Sequence, residues 1–195
     1  MKKRGKQKAV SAFKSHQSAT ISLESVLQDA RTFPIIECWI SADWEAGSGL
    51  VQIIVARQQP NGKICCGVYL VDKFCLGLKD TFAKVNLSLD RYKDVYDRIA
   101  SRQPLKECSV ELVHQMIYSA IEYGARFGFT PQRDFAQSQY VLEPHGELDE
   151  PYRITFGQNG KPLFIAGPYD DTEQILQQLD KTAGPGKYDY IAPPL

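Results

Sequence analysis

Two nearly unbroken apolar runs constrain this chain most: LVQIIVAR at residues 50–57 and KICCGVYLVD at 63–72, separated by Pro60-Asn61-Gly62. β-Branched runs of this length favour strands, and Asn-Gly between two of them is the strongest short hairpin signal. A third run, IIECWISADW at 35–44, sets Ile36, Cys38, Ile40, Ala42 and Trp44 on one face and Glu37, Ser41 and Asp43 on the other. Gly47-Ser48-Gly49 turns it into the second run, so the three together predict an antiparallel meander.

Helical spacing flanks this sheet. Residues 22–31 predict a short helix with Ser22 as N-cap and Leu23, Val26, Leu27 and Ala30 on one stripe, closed by Pro34. The segment FCLGLKDT (74–81) reads either as a turn or as a helix start broken at Gly77. Ser88 caps a helix carrying Leu89, Tyr92, Val95, Tyr96 and Ile99, ended by Pro104. Ser109 caps a longer one with the stripe Val110, Val113, Ile117, Ala120, Ile121 and Gly124, and Gly128 suits its left-handed end. Thr130-Pro131 predicts a further helix to about Leu142, followed by an acidic loop over 143–150. A second hairpin is expected from 152–156 and 162–166 about the turn Gln158-Asn159-Gly160-Lys161. Asp170 with Glu173 gives a capping signal for a last helix over 171–182, ended by Gly184.

Strands grouped first and helices after them argue for an α+β fold: an antiparallel sheet, meander plus later hairpin, with helices packed on one face. Whether the second hairpin joins the first sheet stays open. The chain divides into a basic arm (1–20), one α+β domain (21–184) and a Pro/Gly-rich tail (185–195).

Charge sharpens that division. Lys2, Lys3, Arg4, Lys6, Lys8 and Lys14 stand among the first 16 residues without an acid. The rest of the chain then holds 17 cations against 23 acids, so a neutral total hides a basic arm on an acidic body. The arm is polar and aperiodic, which predicts no fixed structure in the free protein. It lacks the apolar core of a secretory signal, and no run reaches the ~20 apolar residues of a membrane helix. Five cysteines, at 38, 65, 66, 75 and 108, form no C-x-x-C pair. They are expected as buried thiols in a reducing cytoplasm.

The densest local chemistry is DKFCLGLKD, where Asp72, Lys79 and Asp80 stand around Cys75 at a strand end. Converging carboxylates there could hold a divalent metal against a phosphate, as a nuclease or phosphodiesterase needs. Spacing fixes no third acidic ligand, and a turn whose aspartates satisfy backbone N–H groups explains the same residues. A Cys75 or Cys108 pair with His114 has nothing to orient the imidazole. Gly157-Gln158-Asn159-Gly160-Lys161 lacks phosphate-loop spacing and reads as a hairpin turn. The arm can engage nucleic-acid phosphates by counterion release. Tyr188 and Tyr190 would be exposed unless the tail docks.

GVYLVDKFCLGLKD, YGARFGFTPQRDF and FGQNGKPLFIAGPYDD resemble stretches of an uncharacterised family of hypothetical bacterial proteins, over about residues 31–190. The resemblance implies an intracellular bacterial protein of this layout and carries over no activity or catalytic residue. The residues themselves predict a cytoplasmic, non-catalytic accessory module without cofactor or metal. Its arm would contact nucleic acid and its acidic body a protein partner. The alternative is a metal-dependent nuclease using Asp72 and Asp80, with Lys79 beside them.

Overall fold

The computed structural model describes residues 23–192. The predicted cap Ser22 lies outside them, and the first helix appears as α1 (Leu23–Gln28) with a 3-10 turn at Ala30–Thr32. β1 (Ile35–Ser41), β2 (Leu50–Gln58) and β3 (Ile64–Asp72) form the antiparallel meander. Pairing between β2 and β3 runs from Leu50 opposite Asp72 to Gln58 opposite Ile64. Their turn places Gly62 at φ +76°, a left-handed conformation open to glycine, while the Asn61 side chain accepts from Lys63 N–H at 3.0 Å.

The ambiguous segment after β3 is a strand. β4 (Gly77–Leu87) pairs along β3, and β5 (Leu105–Glu107) adds to the free side of β1, giving the order β4-β3-β2-β1-β5, antiparallel throughout. Lys79, Asp80 and Lys84 break the apolar pattern of β4, which an edge strand tolerates and which blunts its open side. Asn86 near its end takes φ +58°, held because its N–H donates to Gln59 Oε1 at 2.7 Å and its Oδ1 accepts from Gln59 Nε2 at 3.0 Å.

The unbroken apolar character of β2 and β3 follows from burial on both sides of the sheet. α2 (Leu89–Ala100) lays Tyr92, Val95 and Ile99 on Ile54, Ala56, Cys66 and Val68. α3 (Val110–Ala125) covers the opposite face, packing Val113, Met116, Ile117 and Ala120 with Ile53, Val55, Tyr69 and Val71. The fold is therefore α+β as the residue pattern predicts, but helices cover both faces rather than one. Ser88 and Ser109 cap α2 and α3 as expected, accepting from Arg91 and Leu112 N–H groups at 3.4 and 3.3 Å.

Further along, three expectations give way to tertiary structure. The helix predicted from Thr130 shrinks to α4 (Phe135–Ser138) and a 3-10 turn at Gln139–Val141. The first turn's N–H groups are taken elsewhere, Gln132 N–H by the Leu78 carbonyl at 3.4 Å and Asp134 N–H by Gln132 Oε1 at 2.7 Å. The short helix is anchored by buried Ser138, whose carbonyl accepts from Tyr69 Oη and whose hydroxyl accepts from Thr81 Oγ1, both at 2.8 Å. The second hairpin does not form. Residues 152–156 form no strand and lie beside α3, where Gln115 Nε2 donates to the Tyr152 carbonyl at 2.7 Å and Gln115 Oε1 accepts from Tyr152 N–H at 2.9 Å. One side-chain amide thus supplies what a neighbouring strand would. β6 (Leu163–Ile165) instead pairs parallel with β7 (Asp189–Ile191), the crossover between them being α5 (Thr172–Thr182).

This small unit has its own core of Cys75, Phe164, Ala166 and Leu179. It docks part of the tail: Tyr190 stacks on Phe164 with ring centres 5.7 Å apart. Asp171, not Asp170, caps α5 by accepting from Gln174 N–H at 3.1 Å. Among the described residues no helix is long and apolar enough to cross a membrane.

Candidate functional site

The structure separates the three residues of the acidic candidate. Asp72 is buried and turns its carboxylate onto the loop that follows, accepting from Phe74 and Cys75 N–H at 2.9 and 3.1 Å through Oδ1 and from Leu76 N–H at 3.3 Å through Oδ2. Burial raises its carboxyl above the ordinary range, and those N–H groups act in the opposite direction. Lys79 is near enough for its charge to lower the Asp72 carboxyl, but it pairs with Asp170 at 2.6 Å; Asp170 also accepts from Gly167 N–H at 2.8 Å. That ion pair borders a cleft of about 390 Å³ with an apolar wall of Leu76, Phe129 and Ile175. Asp80 is exposed, accepts from Thr81 N–H at 2.9 Å, and lines a different cleft. In register, Asp80 stands opposite Leu70 and Asp72 opposite Gly77.

The cleft at Asp80 has the chemistry of an anion site. It is a trough of about 190 Å³ between α2 and the sheet, floored by Leu70, Phe82, Val95 and Ile99. Lys84 reaches it from β4, while Arg98 and Arg102 reach it from the C-terminal end of α2 and the turn beyond. A separation of four residues keeps the two arginines on one side of a helical path. The Lys84 ammonium lies 5.5 Å from the centre of the Phe82 ring. Among the described residues none of these three cations forms an ion pair, although the body is acidic overall. Among the described residues Asp80 is the one carboxylate in the lining. Three cations around one acid leave the trough with a positive field.

Sequence reasoning found Asp80 and missed its neighbours. Lys84 shares a strand face with Phe82 only once β4 is recognised. The Arg98/Arg102 spacing was readable, but nothing in the chain announces that α2 lies across β2 and β3 with its last turn beside β4.

The remaining sequence candidates serve the fold. His114 is buried and its Nε2 lies 3.2 and 3.1 Å from the carbonyl oxygens of Glu143 and Pro144, which fixes Nε2 as a donor. Its ring packs on Tyr118 at 4.6 Å between centres. Burial pushes the thiols up, Cys65 to about 11 and Cys38, Cys66 and Cys108 to about 12, with Cys75 shifted the same way. All five are free. Gly157 N–H donates to the Lys73 carbonyl at 2.9 Å, and Gln158 bridges to Lys161 in a tight turn. Among the described residues no group of three or more His, Cys, Asp or Glu side chains is arranged to hold a metal. The arm cations Lys2, Lys3, Arg4, Lys6, Lys8 and Lys14 lie outside the described residues.

No protein-family model, curated protein or solved structure matches the chain.

Proposed function

We propose that this chain is a non-catalytic accessory module that contacts nucleic acid through its basic arm and the Lys84–Arg98–Arg102 trough, and a protein partner through its acidic body. The observation that carries this reading is the convergence, on one cleft of a net-acidic body, of three cations that have no ion-pair partner among the described residues. Arginine forks and a lysine ammonium suit phosphate oxygens, and the half-exposed Phe82 offers a face for a base. The arm, residues 1–20, extends that contact along the nucleic-acid backbone by counterion release, while the folded body, β7 included, supplies the platform. A bacterial cytoplasm suits five unpaired cysteines and the family resemblance of residues 31–190.

Fluorescence anisotropy with labelled single-stranded DNA, single-stranded RNA and duplex DNA tests the reading on the full chain. Neutralising the trough (Lys84→Gln, Arg98→Gln, Arg102→Gln) and neutralising the arm cations are each expected to weaken binding. Unchanged binding in both variants, or none by the unmodified chain, contradicts it.

A further inference from the structure

On the other flank of α2 the lining chemistry reverses. A cleft of about 360 Å³ opens between β1 and α2, and its walls are the rings of Trp39, Tyr92 and Tyr96. Trp39 and Tyr96 meet edge to face with centres 4.9 Å apart, both rings partly open to solvent. Glu37 stands on the same strand as Trp39, half-buried, and accepts a hydrogen bond from the Tyr92 hydroxyl. Burial and that neighbouring carboxylate both raise the Tyr92 phenol, so it stays protonated and keeps donating. Asp97, exposed on α2, brings a second carboxylate, and among the described residues Lys93 is the one cation in the lining. Leu89 at the mouth is 58% exposed, an apolar surface left uncovered at the start of the helix.

Aromatic faces attract cations through their quadrupole, most strongly where solvent is partly excluded. A carboxylate fixed beside those faces adds charge without the entropic cost of ordering a mobile side chain. We propose that this cleft receives a lysine or arginine side chain presented by a partner protein, its stem against Leu89 and the rings and its charge between Glu37 and Asp97. The proposal rests on reading the chain as a binding module with a protein partner, and not on the nucleic-acid contact. α2 then separates two surfaces of opposite preference, an anion trough towards β4 and a cation cleft towards β1.

The test follows the Trp39 indole N–H resonance in the full chain while acetylated tripeptide amides Gly-Lys-Gly, Gly-Arg-Gly and Gly-Gln-Gly are added. Trp44, packed in the core on the other face of the sheet, is the internal reference. The lysine and arginine peptides are expected to shift Trp39 saturably at low salt, and the glutamine peptide to leave it in place. Glu37→Gln and the exposed Asp97→Asn should each weaken that binding about threefold to tenfold. The trough variant, which removes cations and no carboxylate, should not weaken it, which separates this result from the fate of the nucleic-acid reading. Equal shifts by the glutamine peptide, or no shift by either basic peptide, overturn the proposal.

Discussion

Arg57 and Glu143 form a buried-to-surface ion pair, Nη2 to Oε1 at 2.7 Å, that ties the end of β2 to the loop after the 3-10 turn. The Arg57 guanidinium is 2% exposed, and its other donors are used as well: Nε to the Val141 carbonyl at 2.7 Å, and Nη1 to the carbonyls of Phe33 and Arg31 at 2.7 and 3.3 Å. One side chain thus closes two segments, 31–33 and 141–143, onto the end of β2. Arg57→Met is expected to lower stability by about 2–4 kcal/mol, because buried carbonyls lose their donor and Glu143 its partner. Urea unfolding measures this; a loss within experimental error would show that water replaces the fork.

The start of β4 and the end of α3 approach so closely that only glycine fits where they touch. A Cβ on Gly124 would sit 2.8 Å from the Leu76 carbonyl oxygen, and one on Gly77 would sit 2.4 Å from the Ala120 carbonyl oxygen. Gly124→Ala should cost about 1–3 kcal/mol despite the better helix propensity of alanine. A stabilised variant in thermal unfolding would contradict the close packing.

Asp72 gives a pH signature. Its carboxyl is raised above its ordinary 3.8 in the folded chain by burial. The folded state therefore holds that proton longer than the unfolded one, so the group contributes stability below 3.8 that is lost as pH rises through the folded value. Asp72→Asn removes this loss, and its melting temperature should gain on the unmodified protein as pH rises from about 4 upward. A difference that stays flat with pH, or runs the other way, would show that the three N–H donors outweigh burial.

Thiol chemistry tests the core. Cys38, Cys65, Cys66 and Cys75 are buried and Cys108 only partly so. With thiols raised to about 11 or beyond, alkylation at neutral pH should proceed first at Cys108 and reach the others only on unfolding. Mass-spectrometric mapping of iodoacetamide adducts decides; early labelling of Cys65 or Cys66 would contradict the two-sided burial of β3.

Asp80 separates the accessory reading from the hydrolytic one. As the lone acid of the trough it repels phosphate, so Asp80→Asn should tighten oligonucleotide binding by about twofold to fivefold at low salt. A nuclease using Asp80 would show Mg²⁺-dependent cleavage of a labelled oligonucleotide, abolished in the same variant. Binding and cleavage read side by side distinguish the two.

How much of this was legible follows from where each partner sits in the chain. The hairpin from Leu50 to Asp72 was readable because its signal, Asn61-Gly62 between apolar runs, is local. β4 was not, because Lys79, Asp80 and Lys84 break its pattern and Asn86 depends on Gln59 across the sheet. Residues 152–156 have the composition of a strand, but Gln115, far back on α3, takes the place of the strand partner. The trough shares this difficulty: Lys84 and the two arginines come from different elements, and only the packing of α2 brings them together. Local rules see caps and turns; they do not see which surfaces meet.

The most direct test of the central claim is the salt dependence of oligonucleotide binding, comparing the full chain with the Lys84→Gln/Arg98→Gln/Arg102→Gln variant. On a single strand, each phosphate left without its cation should lower the slope of log affinity against log salt by ~0.7. The account predicts a slope shallower by about 2 in the triple variant, with the fold intact by circular dichroism. Identical slopes would place the trough outside the interface and contradict the account.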